Sequence, residues 1–154
     1  MVYRAAGAQA KERLMERRID VFFYGLFMDP DVLRAKGLHP VNTRRASVEG
    51  LALQLGDRAT LVPEPGACAH GMLISLTHEE LDQLYAEPSV AAYRPEPVLA
   101  TLSDGKPVAA LCFNLPSVSE QAQSNSEYAT KLRTVAQKLG LPPDYVANIG
   151  RNSN

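Results

Sequence analysis

The 154 residues include 16 Lys and Arg against 17 Asp and Glu, a formal charge of -1, with 45% hydrophobic and 21% charged residues. That balance fits one soluble domain large enough to bury a core, and it excludes a general attraction to nucleic acid or to an anionic membrane; the expected partner is a small molecule. Cys68 and Cys112 stand in apolar surroundings without metal-ligand spacing, which predicts buried, reduced thiols. No apolar stretch resembling a secretory signal or a membrane span opens the chain, so a cytoplasmic location is expected.

Residues 1–18 read as an N-terminal helical extension, and residues 19–154 as a single domain. Lys11, Arg13, Arg17 and Arg18 have no aromatic residues interleaved for base stacking, so they read as a solvated face rather than an RNA contact. The apolar strand Val21-Phe22-Phe23-Tyr24 breaks at Gly25-Leu26-Phe27-Met28 and meets a helix start at Asp29-Pro30-Asp31. Asp29 serves as N-cap, Pro30 as first helical residue and Gly37 as the left-handed stop. Peptide N–H groups at such a corner carry the positive end of the helix dipole, and Gly25 allows close approach, so the corner is a candidate seat for a carboxylate.

A strand is expected over Ala46–Leu55, a turn at Gly56-Asp57, a strand over Ala59–Val62, a turn at Pro63-Glu64-Pro65-Gly66 and a strand over Ala69–Leu76. Thr77 to Glu80 spells a capping box for a helix with Leu81, Leu84 and Tyr85 facing the core and Pro88 as its end. Because a residue before proline is pushed out of the helical region, Glu87 should leave the helix in an extended conformation with its carboxylate free. Tyr93–Leu102, the Asp104-Gly105 turn and Pro107–Asn114 predict a hairpin. Ser117 to Asn125 reads as a loop. A helix then runs from Ser124 and Glu127 to about Leu139, stopped by Gly140, with a last short helix after Pro142-Pro143. Several short strands with a few helices and no repeat indicate an α+β domain with a curled sheet or small barrel.

No Ser-His-Asp signature, Walker loop or dinucleotide fingerprint is present, and His39, His70 and His78 are scattered without companions, as surface or hydrogen-bonded core histidines are. What remains is the backbone corner and a set of carboxylates. Tyr24 is either a core aromatic or a hydroxyl donor to a ligand, its place beside Gly25 favouring the second. Arg94 is a partner for a substrate carboxylate or for Glu87, or else an edge-strand surface residue. Glu64 and Glu96 read as surface charge.

The segment Phe22-Phe23-Tyr24-Gly25-Leu26-Phe27-Met28, followed by a capped helix, resembles the opening of the gamma-glutamylcyclotransferase-like family, which usually reads Y-G-[ST]-L there. Gly71–Leu76 resembles its G-x-[LV]-[YF]-x-[LI] strand, Leu81-Asp82 its L-D pair and Tyr93–Val98 its Y-x-R-x-x-V strand. The resemblance runs from about Val21 to Asn114. It implies an α+β fold, a small mixed β-barrel with flanking helices, in which Tyr24, Gly25, Leu26 and Phe27 grip a γ-glutamyl group with Tyr93 and Arg94 as further substrate-binding residues. A glutamate acts as acid/base while the substrate's own α-amine attacks its γ-carbonyl, giving 5-oxoproline and a released amine without metal or cofactor. Attack within one bound molecule gains a large effective concentration, and burial raises a carboxylate's pKa toward the value such a base needs.

Two departures stand out. Leu26 occupies the place of Ser or Thr, and the family's spacing from the L-D pair brings its glutamate to Tyr85. Glu87, two residues on, is then the shifted acid/base equivalent. The expected function is a gamma-glutamylcyclotransferase-type enzyme. The alternatives are a non-catalytic binding domain of the same fold, or an enzyme for another acyl amide, and the discriminating feature is whether Glu87 or Tyr85 points into the pocket. The sequence leaves the leaving amine and the oligomeric state open.

Overall fold

A computed structural model describes residues 17–116 and 126–151. Its strands are β1 (Arg18–Phe23), β2 (Val41–Leu55), β3 (Ala59–Thr77), β4 (Arg94–Leu102) and β5 (Pro107–Asn114). Its helices are α1 (Pro30–Ala35), α2 (His78–Leu84), α3 (Ser126–Lys138) and α4 (Pro143–Asn148), with a 3-10 turn at Leu26–Met28. The strands close into a barrel in the order β1-β3-β2-β4-β5. All neighbours are antiparallel except β1 and β5, which run parallel with Val21 opposite Leu111, so the barrel is mixed. The fold is thus the α+β barrel with flanking helices that the sequence indicates.

Closure explains why β1 is apolar on consecutive residues. Val21, Phe22 and Phe23 are all buried, facing alternately the barrel interior and the helices laid against its wall. The core gathers Phe22, Leu73, Ile74, Leu76 and Cys112 from the strands with Leu33 and Leu132 from α1 and α3. On α3, Ala129, Leu132 and Ala136 form the buried stripe at helical spacing. The end of this helix is tied to the start of α1 by Lys138 Nζ, 2.9 Å from Asp29 Oδ2 and 3.0 Å from Asp31 Oδ2.

Several local expectations change in the folded chain. Pro63–Gly66 is no hairpin turn: β3 runs through it as one strand. In the β2–β3 register Glu49 faces Cys68 and Leu51 faces Pro63, so β3 bulges there, and Gly50 and Gly66 take φ of +84° and +83°. The turn-forming residues kink the long hairpin instead of ending it. Helix α2 has the expected capping box, Thr77 Oγ1 accepting from Glu80 N–H and Glu80 Oε1 from Thr77 N–H. It ends at Leu84, ahead of Pro88, with Tyr85 as C-cap. Cys68 is exposed rather than buried because it lies beside the bulge, whereas Cys112 is buried as expected. Arg18 begins β1; the rest of the expected N-terminal helix before Arg17, and the loop over residues 117–125, lie outside the described residues.

Candidate functional site

The break after β1 is a tight backbone corner. Gly25 C=O accepts from Met28 N–H at 3.0 Å and Leu26 C=O from Asp29 N–H at 3.3 Å, closing the 3-10 turn. Asp29 then caps α1, its Oδ1 accepting from Asp31 N–H at 3.0 Å. The start of α1 is therefore answered within the protein, by the buried Asp29 carboxylate and its Lys138 partner. The cavity opens beside Gly25, Leu26 and Phe27 instead.

This cavity has a volume of about 250 Å³ and an aromatic wall. Phe22, Phe23 and Tyr24 come from β1 and its end, Phe27 from the corner, Phe113 from β5, Tyr85 and Tyr93 from the chain between α2 and β4, and Tyr128 from α3; Arg58, Ala59, Ser89 and Val90 complete the rim. Tyr24 hydroxyl donates to Phe113 C=O at 2.7 Å, and Tyr93 hydroxyl donates to Ala59 C=O. Both phenols thus brace neighbouring strands. Burial is the main reason that the Tyr24 hydroxyl is held far above its ordinary pKa and that of Tyr93 is pushed up to about 12.

Tyr85 occupies the middle of this wall. Its ring stacks on Phe113 with centroids 4.0 Å apart and planes 13° off parallel, and it meets Phe27 edge-on at 6.1 Å. Its hydroxyl, neutral at physiological pH like any phenol, is held protonated to still higher pH by burial. Glu87 is absent from the cavity wall. Its Oε1 lies 2.7 Å from Lys36 Nζ, in an ion pair whose Lys36 ammonium also sits 5.6 Å from the centre of the Phe27 ring. Arg94 is exposed at the start of β4, its Nη1 donating to Ala91 C=O at 2.9 Å and Tyr93 C=O at 3.1 Å. Of the residues singled out in the sequence, the structure brings together Tyr24, Gly25, Leu26, Phe27 and Tyr93, and places Glu87 and Arg94 elsewhere.

Three contributors had no signal in the sequence. Phe113 looks like an ordinary strand residue. Arg58 follows a turn, and its guanidinium carbon stands 5.8 Å from the Tyr93 ring centre. Tyr128 comes from a helix more than a hundred residues after the corner, yet its hydroxyl oxygen lies 2.8 Å from where a β-carbon on Gly25 would stand, and burial is the main cause of its raised pKa. Elsewhere, Glu96 is more than surface charge: it accepts from Asn114 Nδ2 at 2.8 Å, and Asn114 in turn accepts Leu61 N–H. Among the described residues no group of three or more His, Cys, Asp or Glu side chains is arranged to hold a metal ion, and no helix is long and apolar enough to cross a membrane.

A closed five-stranded mixed barrel with an aromatic cavity beside a glycine corner defines the class of protein. The family described as "Gamma-glutamyl cyclotransferase, AIG2-like" matches residues 21–131, and the chain belongs to it. Among solved structures it is similar to a gamma-glutamyl cyclotransferase, with TM-score 0.73 and 17% identity over 86% of each chain. It is also similar to an uncharacterized Homo sapiens protein, with TM-score 0.72 and 18% identity over 87% of each chain. Against YkqA from Bacillus subtilis the TM-score is 0.71 at 23% identity, covering 88% of this chain and 54% of that one, so it spans about half of YkqA. At these identities the likeness is one of fold. No curated protein gives a significant match.

Proposed function

We propose that this chain is a small-molecule-binding member of its family that has exchanged the acid/base step for an aromatic contact. The observation that carries this reading is Tyr85, stacked on Phe113 within the cavity, at the position to which the L-D spacing brings the family glutamate. Cyclisation of a γ-glutamyl group needs a base to take a proton from the attacking ammonium. A phenol whose pKa is raised by burial does not take it, and Glu87 is engaged with Lys36 away from the wall. The cavity and the tyrosines that brace its wall support a binding role.

The test is release of 5-oxoproline, read by mass spectrometry, from γ-glutamyl dipeptides, γ-glutamyl amines and glutathione. No release above the protein-free blank is expected, from the native chain or from Glu87→Gln. Turnover by the native chain that disappears in Glu87→Gln would overturn the binding reading and restore Glu87 as acid/base.

A further inference from the structure

The cavity wall sorts ligands by charge. Among the described residues that line it, eight of fourteen are aromatic, and Arg58 is the one that carries a charge at neutral pH. A carboxylate entering the cavity has two conceivable seats, the glycine corner and Arg58. The corner is already filled on its open side by the Tyr128 hydroxyl. Its oxygen lies 2.8 Å from where a β-carbon on Gly25 would stand, so the open side of Gly25 faces a protein oxygen. A carboxylate at Gly25 would have to displace this hydroxyl, which fills the space beside the backbone.

Arg58 has the opposite disposition. Its Nη1 donates to Ser89 C=O at 3.3 Å, and the guanidinium lies near the Tyr93 ring, so the fork is positioned at the rim by two cavity residues. Only one of its five N–H donors is spent in that bond, which leaves donors for a planar carboxylate. Inside, Tyr24 and Tyr93 spend their hydroxyl hydrogens on backbone carbonyls, so these two present ring faces rather than donors to a ligand. An apolar cavity of roughly 150 Å³ holds a benzene ring. At about 250 Å³ this one has room for a ring with a short side chain.

Resting on the binding reading above, we propose that the cavity takes a small aromatic carboxylic acid, its ring against Tyr85 and Phe27 and its carboxylate on Arg58. An aromatic wall also attracts ammonium groups through the ring faces. Here the guanidinium at the rim repels them, and no carboxylate among the described residues of the wall neutralises them.

The experiment titrates the native chain, Arg58→Gln and Arg58→Lys with 3-phenylpropanoate, 3-phenylpropylamine and 3-phenylpropanol, following amide shifts by NMR. The acid should bind the native chain at least tenfold more tightly than the amine or the alcohol, moving the amides of Gly25 to Phe27. Arg58→Gln should weaken the acid about tenfold and leave the alcohol unchanged, with Arg58→Lys between. Because Arg58 is exposed, both variants should fold, as their spectra will show. Binding of the amine as tightly as the acid, an acid affinity indifferent to Arg58→Gln, or no binding of the acid would each overturn the proposal. Production of 5-oxoproline in the separate assay would instead defeat the reading on which it rests.

Discussion

Tyr24 connects the corner to the rest of the barrel through a single hydroxyl. It leaves β1 next to Gly25 and donates across to the Phe113 carbonyl on β5, the pair of strands whose parallel contact closes the barrel. Tyr24→Phe keeps the ring in the wall and leaves that carbonyl without its donor. The expected cost is about 1–2 kcal/mol, or a fall in Tm of about 2–8 °C for a domain of this length. Calorimetry of the two proteins measures it, and an unchanged Tm would show that the hydroxyl does not brace the strands. The corner was legible at this scale because its chemistry lies in consecutive residues: Gly25 for close approach, Asp29 for the cap, Pro30 for the first turn. Arg58 and Tyr128 were illegible because nothing local marks them; each reaches the cavity only when β3 and α3 are laid beside β1. The position of Glu87 shows a further limit. Leaving a helix says that a carboxylate is not held within it, not which neighbour it finds, and Lys36 is distant in sequence.

Strand β1 presses on β3 where Gly71 lies near Phe23. A β-carbon on residue 71 would collide with the Phe23 carbonyl oxygen and crowd the Phe22 ring, and backbone cannot swing aside as a side-chain tip can. Gly71→Ala should therefore cost ~3 kcal/mol, the upper end of overpacking penalties, and lower Tm by ~6–12 °C. The same crowding displaces the strand end that carries Tyr24 and Gly25, so binding should weaken along with stability. Thermal melting and the NMR titration read the two effects, and an alanine variant melting with the native chain would mean that the strands have slack there. The family-like spelling Gly71–Leu76 located this strand, and the capping box located α2, because both are local patterns. The β3 bulge was missed for the complementary reason. Proline and glycine announce a departure from regular pairing, but whether the chain reverses or bulges depends on the partner strand, and β2 continues past it with Gly50 making the matching turn of the backbone.

Across the whole molecule, the tyrosines report on the barrel and cavity together. Tyr24, Tyr85, Tyr93, Tyr128 and Tyr145 draw on five separate parts of the chain, and in each the principal cause of a raised pKa is burial, with Tyr93 and Tyr145 reaching about 12. Unfolding returns them to the ordinary phenol value near 10. Above that pH the unfolded chain releases protons that the folded chain still holds, so unfolding is favoured as pH rises. The stabilisation is complete below about pH 10 and drains away as pH climbs through 10 toward 12 and beyond; Cys112, pushed from 9 to about 12 by burial, adds a loss of the same sign from a slightly lower pH. Tyrosinate absorbance and β-sheet circular dichroism, followed together through an alkaline titration, should therefore change in one cooperative step. Smooth ionisation near pH 10 with the sheet intact would mean that water reaches the phenols in the folded barrel. The binding reading depends on the same property, since a wall of phenols that keep their protons until the barrel opens offers a ligand ring faces throughout the physiological range and offers an ammonium no base.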